Sequence, residues 1–208
     1  MLPKKLDLKA GVLFGCSITT AYGAIFNDSK ISLKRKNKIL ITGCGMIGQM
    51  LAAMLNLPNQ EISILENNQK KINYFLKIFK KINFIKDKKN LSKNYDYIFE
   101  TTGKSKIIEK SFESIKNSGK LILIGVPSHN EKIKINTLGI NYGKKIIGSY
   151  GGNLKPSKKI DEILKHLKKI NFRFGKFYSG PYDFKKINSI IKKINNGRII
   201  TKPILKFR

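Results

Sequence analysis

Hydrophobic residues fall in short blocks along this 208-residue chain, and after residue 37 the blocks alternate between two patterns. Short continuous apolar runs bounded by turn residues predict buried strands, whereas apolar positions three or four residues apart predict helices. The predicted strands are residues 39–42, 62–65, 83–85, 95–100, 121–125, 146–150 and 199–207. The predicted helices are residues 46–57, 69–79, 106–116, 157–169 and 184–195.

This alternation of strands and helices, with strand interiors that are apolar throughout, is typical of a parallel sheet buried on both faces. The pattern therefore predicts an α/β fold, a doubly wound parallel Rossmann sheet with helices on both faces. Gly119 suits the C-terminal cap of the helix at 106–116. Pro203 interrupts the last predicted strand, which favours an edge position for that strand.

A glycine pattern, GxGxxG, lies at 43–48 between the first predicted strand and the helix that follows it. Gly43 permits a tight turn, Gly45 lacks the side chain that would block a pyrophosphate, and Gly48 lets the helix approach the strand. The diphosphate of a dinucleotide would then lie on the exposed amides and the positive end of the helix. The alternative is that the glycines form only a turn.

An acidic residue is expected about 20 positions further on, at the end of the next strand. Glu66 follows the predicted strand at 62–65 and meets this expectation. A carboxylate there accepts hydrogen bonds from both ribose hydroxyls and repels a 2′-phosphate, so we predict NAD(H) rather than NADP(H). Lys70 and Lys71 lie close by and would weaken the preference. The alternative is that Glu66 is only a surface acid.

The formal net charge is +29, from 42 Lys and Arg against 13 Asp and Glu. The lysines are scattered over nearly every segment, so we interpret the charge as a property of solvated faces and keep nucleic-acid binding as the weaker alternative. Two cysteines and two histidines show neither disulfide-framework nor metal-ligand spacing. No apolar run reaches the ~20 residues of a membrane span, and the start lacks a clean cleavage site. We therefore expect no membrane partner and a cytoplasmic location.

Several ordered motifs resemble those of the zinc-containing alcohol dehydrogenases, the medium-chain dehydrogenase/reductase family. The similarity runs nearly end to end and concerns the C-terminal, NAD-binding part of that family. The motifs are LFGCSITTAYG at 13–23, FETTG at 99–103, GVP at 125–127, GSYGG at 148–152, NGR at 196–198 and ILKF at 204–207. Together they are far more specific than the glycine pattern alone.

The resemblance implies NAD as the cofactor and a role for individual residues. Thr20 and Ile47 would lie against the nicotinamide ring, backbone groups of Ile124 and Ser149 would hold its carboxamide, and Lys202 would act on the pyrophosphate as a point charge. The full set of expected cofactor-binding residues is Thr20, Gly43, Gly45, Ile47, Gly48, Glu66, Lys71, Thr102, Ile124, Ser149 and Lys202.

Cys16 stands where the family has the third ligand of its catalytic zinc. Judged from the residues alone, a lone cysteine in an apolar helix is more often part of the core. Zinc catalysis needs three protein ligands and an open position, so the resemblance implies zinc only with a partner chain that supplies the other ligands. We therefore expect no complete set of catalytic residues in this chain.

The resemblance also divides the chain into three parts. Residues 1–36, with a predicted helix at 17–26, correspond to the linking helical segment of the family's domain junction. Residues 37–170 form the NAD-binding Rossmann domain, and residues 171–208 carry a helix and strand that would rejoin the catalytic domain. Residues 86–94 are too short for the helix that many relatives have between their third and fourth strands.

The expected function is that of the NAD(H)-binding portion of a zinc-type alcohol dehydrogenase, an oxidoreductase that transfers hydride between an alcohol or carbonyl compound and nicotinamide. The family's N-terminal catalytic domain is not matched, so we expect a separate catalytic-domain chain as partner. The alternative is a non-catalytic dinucleotide-binding module or remnant. The resemblance further implies a homodimer formed near residues 133–149. The substrate is not readable, because its pocket lies mostly in the unmatched domain.

Overall fold

The computed structural model describes residues 6–79 and 81–207, and its centre is a parallel sheet of six strands. The strand order is β3-β2-β1-β4-β5-β6, so the chain reverses its direction of travel across the sheet between β1 and β4. The strands are β1 (Asn37–Thr42), β2 (Gln60–Leu65), β3 (Asn83–Ile85), β4 (Tyr95–Glu100), β5 (Ile115–Leu123) and β6 (Lys145–Gly148). This is the strand order of a Rossmann sheet.

Eight α-helices accompany the sheet in the described part of the chain. They are α1 (Leu8–Gly11), α2 (Ser17–Gly23), α3 (Met46–Leu55), α4 (Gln69–Leu76), α5 (Ser105–Ser114), α6 (Leu138–Asn141), α7 (Pro156–Lys169) and α8 (Ile187–Asn195). Helix α2 continues into a π-helical turn at Ala24–Asp28. Three short 3₁₀ turns lie at Lys88–Asn90, Phe174–Lys176 and Phe184–Lys186.

Alternate residues of each central strand enter two separate hydrophobic cores, one on each face of the sheet. In β1, Ile39 and Ile41 belong to one core and Leu40 to the other. The first core also contains buried residues of α2, α3 and α7, and the second contains buried residues of α5. Because side chains alternate across a strand, this division requires helices on both faces. The predicted doubly wound sheet is confirmed.

A second, two-stranded parallel sheet is built from β7 (Tyr178–Asp183) and β8 (Lys202–Lys206). The sequence pattern predicted β8 but not β7. Pro203 lies in β8, and both strands of a two-stranded sheet are edges, which is where proline is tolerated. The residues that lead into β8 are linked to the glycine turn after β1 through Gln49. Its side chain donates to the carbonyls of Cys44 at 3.2 Å and Ile200 at 3.1 Å.

The prediction that Gly119 caps a helix at 106–116 is wrong. Helix α5 ends at Ser114, and Gly119 lies inside β5. A Cβ on Gly119 would lie 3.0 Å from the carbonyl oxygen of Tyr95, at the place where the pairing of β4 with β5 shifts register. The glycine therefore allows two strands to approach closely at an irregularity.

The connection between β3 and β4 contains a single 3₁₀ turn, Lys88–Asn90, and no longer helix. This agrees with the expectation that residues 86–94 are too short for one. Over the described ranges 6–79 and 81–207, we find no helix with the length and apolar character needed to span a membrane.

Candidate functional site

A crevice of about 720 Å³ opens at the carboxyl ends of β1, β2 and β4. Its walls are the turn after β1, the start of the loop after β2 and the loop after β4. The strand order changes direction between β1 and β4, and ligands of open parallel sheets bind at such switch points. The glycine pattern and Glu66, which are far apart in sequence, both line this crevice.

The three motif glycines have different surroundings. Gly43 has a φ of +87°, a conformation that favours glycine, and its amide donates to the Leu65 carbonyl at 2.8 Å. A Cβ on Gly48 would lie 2.1 Å from the carbonyl oxygen of Gly43, so only glycine lets α3 approach the turn. A Cβ on Gly45 would meet nothing within 4 Å. The space beside Gly45 is therefore open.

Helix α3 begins with no side chain capping its first turn. Gly45 is the residue before the helix and has no side chain to accept a hydrogen bond from the first amides. In the described part of the chain, no group accepts from the amides of Met46 and Ile47. Unpaired amides and the positive end of the helix dipole together form a site for an anion.

Glu66 lies against the glycine turn and is 8% exposed. Its Oε2 accepts from the Cys44 amide at 3.1 Å and from Lys71 Nζ at 3.3 Å, and its Oε1 accepts from the Asn68 amide at 2.9 Å. These contacts hold the carboxylate at the crevice wall. Burial raises the pKa of the Cys44 thiol to about 12, and the nearby Glu66 charge adds to the rise. Cys44 is therefore a neutral packing residue.

Glu100 is a residue whose role the sequence reasoning missed. It is fully buried at the end of β4, where it accepts from the Thr42 hydroxyl at 3.1 Å and from the amides of Thr102 at 2.7 Å and Gly103 at 3.1 Å. The Thr102 hydroxyl also donates to it. These bonds fix the loop that carries Thr102 into the crevice. The acid followed by Thr-Thr-Gly was visible in the sequence, but the contact with Thr42 was not.

Lys202 lines a second cavity of about 360 Å³, beside the start of α3. This cavity shares Cys44, Gly45 and Lys71 with the main crevice, so the two are adjacent. Lys202 of the second sheet thus lines the same cavity as Gly45 and Met46 at the start of α3. An anion at this point would have the helix end on one side and an ammonium group on the other.

Three other predicted residues lie around the carboxyl ends of β5 and β6, namely Ile124, Ser149 and Thr20. The amides of Ile124 and Ser149 are bound inside the sheet, to the carbonyls of Glu100 and Leu123 at 2.8 Å each. Their own carbonyls accept no hydrogen bond from the described residues and are available to a donor. A Cβ on Gly152 would lie 2.7 Å from the Thr20 carbonyl oxygen, so α2 packs directly on the turn after β6.

Cys16 is exposed at the start of α2, and its Sγ lies 3.9 Å from the Thr20 hydroxyl. Among the residues that the structure describes, no three His, Cys, Asp or Glu side chains come together in a way that could hold a metal ion. His166 packs instead against Tyr22 and Phe26, with ring centroids 5.9 and 5.1 Å apart. The described residues alone therefore do not fit a catalytic zinc.

Comparison with known proteins agrees with this geometry. The family model described as zinc-binding dehydrogenase matches residues 43–169. The chain is similar to the S-(hydroxymethyl)glutathione dehydrogenase of Saccharomyces cerevisiae, with 27% identity over 210 residues that cover 93% of this chain and 53% of that protein. The chain thus spans about half the length of such relatives.

Solved structures show the same fold. Benzyl alcohol dehydrogenase from Acinetobacter calcoaceticus has a TM-score of 0.86 at 20% identity, covering 100% of this chain and 59% of that one. Acetophenone reductase from Geotrichum candidum, solved in complex with NAD, has a TM-score of 0.77 at 19% identity, covering 99% of this chain and 58% of that one.

Proposed function

Because the chain belongs to the zinc-binding dehydrogenase family, we propose that it forms the NAD(H)-binding portion of a zinc-type alcohol dehydrogenase. When bound, the nicotinamide accepts or donates the hydride exchanged with an alcohol or carbonyl compound, and the protein orients it. The observation that carries the proposal is the open glycine turn beside Glu66, at the switch point of the sheet.

Each end of the dinucleotide has a proposed set of contacts. Glu66 accepts hydrogen bonds from the adenosine ribose, and the amides at the start of α3 bind the pyrophosphate together with Lys202. Thr102 and Lys71 line the same crevice. At the other end, Thr20 and Ile47 lie against the nicotinamide ring.

The carbonyls of Ile124 and Ser149 accept from the carboxamide of the nicotinamide in this proposal. Their amides are already bound to neighbouring strands, so only the carbonyls can serve. A carboxamide NH₂ has two donors, which suits two carbonyls on adjacent strands. In this arrangement the nicotinamide lies at the carboxyl ends of β5 and β6.

The test is a titration of the chain with NADH and with NADPH, followed by cofactor fluorescence and calorimetry. We expect saturable binding of NADH and about tenfold weaker binding of NADPH, because Glu66 repels a 2′-phosphate. The Lys71 ammonium beside Glu66 limits the difference. Absence of NADH binding would overturn the proposal. Tighter binding of NADPH would overturn the role of Glu66.

Hydride transfer requires a catalytic domain beyond the residues that this chain contributes. We propose that this domain is carried by a partner polypeptide or by another part of a longer protein, and that Cys16 supplies one of its zinc ligands. Reconstitution with a family catalytic domain, zinc and a series of simple alcohols, followed by NADH absorbance, tests this. A Cys16→Ser variant that retains full turnover would exclude Cys16 as a ligand.

A second candidate is a dinucleotide-binding module without catalysis. The observation that favours it is the exposed position of Cys16, which belongs to no group of three or more potential metal ligands among the described residues. In this case NADH binds to the chain, but no zinc is taken up and no turnover occurs in any reconstitution. Zinc content measured by mass spectrometry after reconstitution separates the two candidates.

We further propose that a second copy of this chain pairs along β6. Strand β6 is at the edge of the six-stranded sheet, and α6 beside it exposes Leu138 by 53% and Ile140 by 48%. Unpaired edges next to apolar side chains favour association. Sedimentation analysis should show a dimer that Ile140→Asp converts to a monomer, whereas Leu8→Asp, at a position 87% exposed elsewhere, leaves it intact.

A further inference from the structure

The turn that follows β6 has an unusual backbone conformation and is hydrogen-bonded to residues outside it. Gly151, Gly152 and Asn153 are consecutive residues with positive φ values of 58°, 79° and 46°. Glycine adopts this region freely, and asparagine tolerates it better than most residues. Three such residues in succession form a sharp bend, and the Asn153 amide closes it with a bond to the Tyr150 carbonyl at 2.9 Å.

The support comes from a distant segment, the π-helical turn at the end of α2. Asp28 Oδ2 accepts from the Ser149 hydroxyl at 2.5 Å, and Asp28 Oδ1 accepts from the side-chain amide of Asn153 at 2.7 Å. The Asn27 side chain donates to the carbonyls of Gly152 at 3.2 Å and Asn153 at 3.1 Å. Two adjacent side chains therefore hold both ends of the bend.

The π-helical turn carries both Asn27 and Asp28, whose side chains contact the same bend. Such turns are rare and often occur at functional sites. The turn is itself anchored. The Ser29 amide donates to the Ala24 carbonyl at 2.9 Å, and Lys120 Nζ, on β5, donates to the Ser29 carbonyl at 2.7 Å. The turn that carries Asp28 is thus bound to β5 as well as to the bend.

The bend is close to the proposed nicotinamide contacts. Ser149 provides one of the two carbonyls that accept from the carboxamide in the proposed function. The backbone of Gly152 packs against the backbone of Thr20 in α2. A shift of the bend would therefore move the Ser149 carbonyl and disturb the packing of α2 at Thr20.

We infer that Asp28 is a positioning residue for the nicotinamide half of the bound dinucleotide, acting through Ser149 and Asn153. The inference rests on the proposed function. Hydrogen bonds to a carboxylate are stronger than neutral ones, so Asp28 holds the bend more firmly than an amide would. In the proposed function the adenosine half binds at Glu66, which shares no hydrogen bond with Asp28 among the described residues.

The experiment compares NADH with ADP-ribose, which contains the adenosine and both phosphates but no nicotinamide. Both are titrated into the wild-type chain and into Asp28→Ala. We expect Asp28→Ala to weaken NADH binding about tenfold and to leave ADP-ribose binding unchanged. The fluorescence of bound NADH should also move toward that of free NADH, because its ring environment is loosened.

Variants and controls separate positioning from damage to the fold. Asp28→Asn retains one acceptor oxygen and should restore part of the NADH affinity. Ser149→Ala should weaken NADH binding similarly, and combining it with Asp28→Ala should add little, because the two act through one contact. Asp161→Ala, an exposed position on α7, is the matched control and should change neither titration.

The outcomes are distinct. Binding of neither ligand to the wild-type chain would overturn the proposed function itself. Equal affinity of the wild-type chain for NADH and ADP-ribose would overturn only the inference, since the nicotinamide would then contribute nothing for Asp28 to control. An Asp28→Ala variant with unchanged NADH affinity, or with equal losses for both ligands, would also overturn it.

Discussion

The two ends of the proposed dinucleotide site are built to different degrees. At the Glu66 end, defined by turn 43–48, Glu66 and loop 100–103, two buried carboxylates each bind several amide or hydroxyl groups. At the Cys16 end, defined by Cys16, Thr20, Ile124 and Ser149, the cysteine is exposed and two carbonyls have no donor among the described residues. The polar groups of the first end are bound to one another within this chain, whereas those of the second are exposed or have no hydrogen-bond donor among the described residues.

The difference shows which part of the proposed chemistry the chain controls by itself. In the proposed function, an adenosine and a diphosphate bind through amides, a carboxylate and a cation, and the Glu66 end with the neighbouring Lys71 offers these groups. Metal chemistry needs several converging ligands, and the described residues of the Cys16 end supply one. The two cysteines differ in the same way, because Cys44 is buried in the glycine turn and Cys16 is exposed to solvent.

Thiol labelling gives the largest expected contrast between the two ends. Cys44 is buried and its pKa is raised to about 12, so its thiol is neutral and shielded from reagents at pH 7. An alkylating reagent should therefore add one group to the native chain, at Cys16, and two groups in denaturant. Mass spectrometry measures both. Cys16→Ser should show no native labelling, and rapid native labelling of Cys44 would mean that the Glu66 end opens.

Alanine at two of the motif glycines should separate folding from binding. Gly48→Ala forces a Cβ against the Gly43 carbonyl and should cost roughly 3 kcal/mol of unfolding free energy, the upper range for overpacking. Gly45→Ala has open space and should leave stability nearly unchanged while weakening NADH binding. Urea denaturation and NADH titration measure the pair. Equal stabilities would show that the turn adapts more than its geometry indicates.

Removal of the Glu66 charge tests the ligand preference of the Glu66 end. Glu66→Gln should weaken NADH binding about tenfold, because a charge-assisted hydrogen bond becomes a neutral one. NADPH binding should fall less or rise, since the repulsion of the 2′-phosphate is gone. Glu61→Gln, an exposed acid on β2, is the control. Parallel losses for both cofactors would contradict the role of the charge.

Acid should loosen the Cys16 end first, although this effect is the smallest. Burial lowers the pKa of His166, which packs under α2, so the folded chain disfavours its protonated form. The stability from the neutral ring is complete above the ordinary value near 6.5 and is lost as the pH falls below it. Amide exchange at pH 5 should rise in α2 relative to α3. His166→Gln should remove this difference, and exposed His129→Gln should not.

The sequence predicted the sheet well because its strands are continuous apolar runs and its glycine pattern has a fixed mechanical meaning. It missed β7 because Tyr178–Asp183 contains Gly180 and Pro181, which are typical of turns, and because its pairing with β8 depends on residues more than 20 positions away. The roles of Glu100 and Asp28 were also missed. Each depends on a partner brought close only by folding, such as Thr42 or Ser149.

The burial of Glu100 has a consequence for how a ligand would be received. Displacing loop 100–103 would remove the hydrogen-bond donors of the buried Glu100 side chain, so the loop is held in one conformation before any ligand arrives. The loss of conformational entropy that orders loop 100–103 therefore occurs when the chain folds and not when the ligand binds. Association at the Glu66 end should then proceed as docking onto a rigid surface, with little coupled rearrangement and an on-rate limited mainly by diffusion and orientation.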